Sequence, residues 1–176
     1  MKSDETQIQT PAFTALLAVI ERLTARAYVA TQCFNDWRSP RGKICVPLND
    51  TEGLLHEFCH WLVADVVARD SDDYGLDADD ELTARQRQKQ ERQEKMCGWI
   101  EDALYSRAGV MRKYSSVDEA DYLRSPSLKR SAMFHLSKIS EEDQHLITEA
   151  LRLPGGCACA YSDTQSEWPF TMRDHI

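Results

Sequence analysis

TEGLLHEFCHWLVADVVAR, residues 51–69, is the stretch from which the rest of the chain is read. Its apolar residues run almost all the way round a helical wheel. That pattern marks a helix buried within a fold rather than laid on its surface. Asn49, with Glu52 three positions later, resembles a capping box that starts the helix. The apolar run carries it to about Asp70. Inside lies His56-Glu57-Phe58-Cys59-His60, a His-Glu-x-x-His pattern. Helical residues four apart differ by about 40° in direction and stand one turn apart. Both imidazoles therefore reach one metal ion at about 2.0–2.1 Å. Glu57 points about 100° from His56, placed to act on a water as general base without being a ligand itself. Gly53, one turn before His56, leaves room on that face for substrate or solvent.

With 5 His and 13 Glu in 176 residues, such a pattern arises by chance about 1% of the time. Its surroundings count against chance. Two histidines and a glutamate in an apolar, well-capped helix are costly to bury without a partner. A catalytic site with an open position needs a third protein ligand. No third histidine follows at the spacing of the longer His-Glu-x-x-His-x-x-Gly-x-x-His pattern: positions 63 and 66 are Val63 and Val66. The third ligand is then a carboxylate from the next long helix. The candidates are Glu94, Glu101 and Glu91, in that order. Glu94, Cys97 and Glu101 share one helical face, and Glu94 sits where a polar half gives way to an apolar one.

Outward from this pair of helices, Thr10-Pro11 reads as an N-cap with proline at the first helical position. Phe13, Leu16, Leu17, Ile20, Leu23 and Ala27 then form one face, predicting a helix over about 11–30. Lys43 to Leu48 reads as one short strand, at a sheet edge because of Pro47. An acidic loop, RDSDDYGLDADDE, separates the motif helix from the glutamate helix, which is expected over about 81–108 with Gly109 as its C-cap. The first half of that helix, ARQRQKQERQEK, is a solvated face; the second carries Met96, Trp99, Ile100, Ala103 and Leu104 at core spacing. Ser116 with Glu119 opens a short helix near 117–124, Leu128 to Ile139 reads as another, and Ser140 caps a last one ended by Pro154-Gly155-Gly156. The expected architecture is mainly α. It is one helical domain over 1–176 with a short strand or small sheet, disordered over about 1–9. Its metal-site core spans about 43–108, and C-terminal helices and a tail fill about 115–176.

Composition agrees. Hydrophobic residues are 42% and charged residues 28%, enough for a core and too apolar for wholesale disorder. Gly 7 and Pro 6 are low, as suits helices. The net charge of −8 argues against a chain that grips phosphate backbones, so no nucleic-acid partner is expected. No run of about 18 apolar residues exists, and MKSDETQIQT has no apolar signal core, so a cytoplasmic protein without a membrane span is expected. Six cysteines stand at positions 33, 45, 59, 97, 157 and 159 with no Cys-x-x-Cys pair. They are expected as thiols, with Cys59 and Cys97 as small buried hydrophobes. His135 and His145 read as structural or exposed, and His175 lies in the tail. Tyr74, Tyr105 and Arg107 have side chains able to polarise a substrate carbonyl, but nothing in the sequence selects one, and each reads as an ordinary surface or core-edge residue.

A His-Glu-x-x-His helix followed by a glutamate helix resembles the zincin metallopeptidases of the glutamate-ligand type. Over about residues 43–105, the order ICVPLND, LLHEFCHWLVA, DDYGLD, RQKQERQEKMCGWI is similar to the elongation factor P hydroxylase family and to related small phage and bacterial proteins. The counterparts are Trp61 after the second histidine, the Tyr74-Gly75 pair, and Glu91 or Glu94. The strongly acidic loop departs from that second family. The resemblances imply a metal site at His56, His60 and Glu94 with a role for Glu57. Two His and one carboxylate around zinc make a hydrolase, here a metallopeptidase acting on a peptide or protein. The same set around iron makes an oxygen-activating facial triad, the hydroxylase-like alternative. A non-catalytic metal-binding interaction protein is the third reading. Zinc hydrolysis is the expectation carried forward.

Overall fold

The computed structural model describes residues 8–31, 40–76, 82–112 and 125–156. Helix α1 (Pro11–Thr24) is followed by strands β1 (Ala27–Thr31) and β2 (Lys43–Pro47) and by helix α2 (Thr51–Val63). Two 3-10 turns (Ala68–Asp70 and Asp72–Gly75) lead to α3 (Ala84–Ala108), α4 (Pro126–Leu136) and α5 (Glu141–Arg152). The described residues are mainly helical with a small sheet, as expected, and its two strands run parallel.

Helix α1 begins as expected: Thr10 accepts a hydrogen bond from the Phe13 amide and Pro11 occupies the first turn. It ends six residues early. Ala25 turns left-handed (φ 54) and its amide closes on the Glu21 carbonyl. The chain then becomes β1, which pairs in parallel with β2, Tyr28 opposite Ile44 and Val29 opposite Cys45. The helical period through Ala27 was local. Tyr28 and Val29 favour strand geometry, and the segment gains the pairing with β2 while the Tyr28 amide donates to the Glu21 carboxylate at 3.1 Å. The expected strand at 43–48 is present, and its own edge is paired with β1.

Helix α2 is the buried central helix expected, with Leu54, Leu55, Phe58 and Cys59 fully enclosed. Its cap is Asp50 rather than Asn49: the Asp50 carboxylate accepts from the Gly53 amide at 2.9 Å. Asn49 instead takes a left-handed turn (φ 67) and binds the chain before α1, accepting from Thr10 N at 2.7 Å. A Cβ on Gly53 would lie 2.3 Å from Asp50 Oδ2, so Gly53 makes room for the cap and not for substrate. The helix stops at Val63, not near Asp70. The Leu62 carbonyl at its end is met by Arg69 at 3.0 Å and by His135 Nδ1 at 3.1 Å. Val66 and Val67, counted in the apolar run, are 77% and 86% exposed.

Helix α3 has the two halves expected. A capping box of Thr83 and Gln86 starts it, three residues later than predicted, and left-handed Gly109 ends it. Residues 84–92 carry no buried side chain, whereas Met96, Cys97, Ile100 and Leu104 are in the core. Helix α4 starts at Pro126 and ends at Leu136, ahead of the expected Ile139, and α5 is capped by Ser140. The buried Gln144 amide donates to the Leu136 and Ile139 carbonyls, closing α4 from α5. Helices α2 and α3 pack together at the centre of the hydrophobic core, with α1 against α2, α4 against both, and α5 against α1 and α3. The short helix expected near 117–124, Cys33, Cys157, Cys159 and His175 lie outside the described residues.

Candidate metal centre

Helix α2 places His56 and His60 one turn apart, and α3 lies alongside with Glu94 facing them. His60 Nε2 is 3.0 Å from His56 Nε2, 3.4 Å from Glu94 Oε1, and His56 Nε2 is 3.5 Å from Glu94 Oε2. Among the described residues, these three form the group whose ligand atoms all lie within 4.8 Å of one another and which could hold a metal ion. Two ring nitrogens at that distance cannot both direct bare lone pairs at each other. A proton or a cation must lie between them. The side chains of His60 and His56 are 7% and 15% exposed and that of Glu94 is 31% exposed, so the cluster opens to solvent on the Glu94 side.

The shared face of α3 contributes more than the candidate ligand Glu94. Glu94, Cys97 and Glu101 stand at i, i+3 and i+7, and each meets a histidine. Glu101 Oε1 lies 2.6 Å from His56 Nδ1, and Cys97 Sγ lies 3.6 Å from His60 Nδ1. Glu101 is 2% exposed and forms an ion pair with Arg112. It backs the histidine on the side away from the triangle. Glu91 is exposed and belongs to none of these contacts.

The charges follow from this packing. Burial pushes the His56 pKa down, but its hydrogen bond to Glu101 and the charges of Glu101, Glu94 and Glu57 carry it up to about 9. Burial raises the Glu94 and Glu101 carboxyls, and the two histidines outweigh it and hold both below the usual range. Without a metal, the centre therefore keeps a proton on His56 between carboxylates. A metal must displace that proton, because only neutral imidazole is a ligand. Glu57 is buried, and its carboxylate acts on His56, on Cys45 of β2 and on Cys97 of α3. Burial pushes the Cys59 and Cys97 thiols well up. They are protonated hydrophobes, as expected, and not thiolates.

Tyr74 borders the centre. It is 2% exposed, and its ring lies nearly parallel to His60, at 10° and 6.3 Å between centroids. The Arg26 guanidinium packs on the same ring at 4.5 Å. Asp73 and Tyr74 both have positive φ (45 and 55) ahead of Gly75 at 73, a strained run of the kind that packing must enforce. Arg26 helps enforce it by donating to the Lys43, Arg69 and Ser71 carbonyls.

Of the residues singled out in the sequence, the structure brings His56, His60 and Glu94 together, and Glu57 is buried on the same helix as the two histidines. Glu101, a candidate third ligand, instead backs His56. Arg112 and Arg26 were missed. Glu101 carries a signal in its spacing from Glu94, whereas neither arginine differs in sequence from any other surface cation. Tyr105 is buried in the core. Arg107 bonds Gln144 beside a groove of about 680 Å³ at α4 and α5, which none of the three ligands lines. No protein-family model, curated protein or solved structure matches this chain. No helix among the described residues is long and apolar enough to cross a membrane.

Proposed function

We propose that this protein is a zincin-like metal-dependent hydrolase, with zinc held by His56, His60 and Glu94 and with Glu57 as general base. The convergence of two imidazoles and one carboxylate supports the reading: the ring nitrogens of His56 and His60 and a Glu94 oxygen lie within 4.8 Å of one another, which is the donor set of a catalytic zinc with a position left open. Bound zinc supplies Lewis acidity and makes water a usable nucleophile near neutral pH.

The chain's own groups do the rest. Glu57 takes a proton from the attacking water. The water oxygen adds to a peptide carbonyl, and the C–N bond breaks as the proton passes to the leaving amine. Glu57 is buried, and its charge acts on His56. The expected result is about one zinc per untagged chain by element analysis. Glu57→Gln should keep that zinc and lower the turnover of a quenched-fluorescence peptide library by about 10²–10⁴-fold. Zinc-free protein, or unchanged turnover in Glu57→Gln, would sink the proposal. Iron in place of zinc, with oxygen uptake, would transfer the same ligands to hydroxylase-like chemistry.

A further inference from the structure

The two histidines are backed by different groups, and the difference has a function that rests on the metal reading above. His56 Nδ1 meets a buried carboxylate at 2.6 Å, and His60 Nδ1 meets a thiol at 3.6 Å. We propose that Glu101 is a positioning residue. It accepts the Nδ1 proton of His56, fixes the tautomer whose Nε2 lone pair enters the Glu94 triangle, and is itself held by Arg112.

Three observations converge on this role. Glu101 is 2% exposed, so an ionised carboxylate there requires built-in partners. Those partners are His56 on one oxygen and Arg112 on the other. Glu101 also stands two turns from Glu94 on the same helix, so α3 fixes ligand and support in one rigid piece. A carboxylate that accepts the second N–H of a ligating imidazole sets its ring orientation and raises its basicity. The thiol behind His60 is a weak acceptor and supplies little of either. His56 is therefore the stronger of the two nitrogen donors.

The test is a competition titration of zinc between the full chain and a chromophoric chelator. Glu101→Gln should weaken zinc by about 10–100-fold, and Cys97→Ala should change it far less. Arg112→Lys, which keeps a cation on Glu101, should restore most of the affinity lost in Arg112→Gln. Glu101→Gln leaves the half-buried Arg112 only the more distant Asp102 carboxylate, at 3.5 Å, as a charge partner, and can fail to fold. The Glu101→Gln/Arg112→Gln double variant removes both charges and should show the same weakened zinc binding. In the wild type, imidazole ¹⁵N spectra of the zinc-loaded chain should place the His56 proton on Nδ1. Unchanged zinc affinity in Glu101→Gln or the double variant, or an Nε2 proton on zinc-loaded His56, overturns the role while the zinc site stands. Total loss of zinc with a changed cobalt(II) ligand-field spectrum would make Glu101 a ligand and also overturn it. A wild type that binds no zinc overturns the hydrolase reading itself, and this role with it.

Discussion

Glu94 and Glu91 differ by less than one helical turn, yet one faces two imidazoles and the other faces water. Glu94→Ala should weaken zinc binding by more than about 100-fold, beyond the loss typical of an outer partner. Glu91→Ala should leave the same titration curve in place. Equal effects of the two would mean that α3 is rotated from its place in this structure. The histidines were legible as single residues because their spacing matches the helical repeat. The choice among three glutamates was only partly legible. A helical wheel ranks faces, but which face meets α2 depends on how the two helices cross. Tyr74 shows the same limit. Its aromatic-Gly pair is visible in sequence, while its left-handed backbone and its place beside His60 depend on Arg26, 48 positions earlier.

The elements were read well where a cap or a stop was chemical and less well where packing decided. Thr10-Pro11, Ser140 and Gly109 perform as their chemistry requires. Helix α1 stops at Thr24 because Ala25 takes a left-handed conformation that an L-residue adopts at a cost. Ala25 is exposed, so glycine would lose no packing there. Ala25→Gly should therefore stabilise the protein by about 1 kcal/mol, read as a higher urea midpoint at unchanged m-value. A lower midpoint would show that α1 runs on toward β1 in solution. Helix α2 ends early for a different reason. Arg69, in the first 3-10 turn, and His135, on α4, both meet the Leu62 carbonyl near its end. Neither donor can be assigned to Leu62 from sequence, because one lies 73 positions away.

At the scale of the whole molecule, α1 and α5 close the fold around α2 and α3, the pair that carries the candidate metal ligands. Arg22 and Asp143 join them at 2.5 Å across 121 positions. Hydrogen bonds from Ser140 and from Arg22 hold the Asp143 carboxyl below its ordinary value. A depressed folded-state pKa contributes stability above the unfolded value and loses it as pH falls through the folded one. The pair is at the surface, so its contribution is about 0.2–1 kcal/mol. The stability gap between wild type and Asp143→Asn should be flat above about pH 5 and close as pH falls below about 4. A gap that widens on acidification would contradict the pairing. Sequence by itself determined the helical class, most caps, the His56–His60 pair and the split character of α3, because each depends on periods and chemistry within a few residues. Only the tertiary structure decided that β1 is a strand, that α2 stops at Val63, that Glu94 faces the histidines and that Glu101 stands behind one of them. Those outcomes depend on which buried groups meet across the core, and burial leaves a polar group no alternative partner.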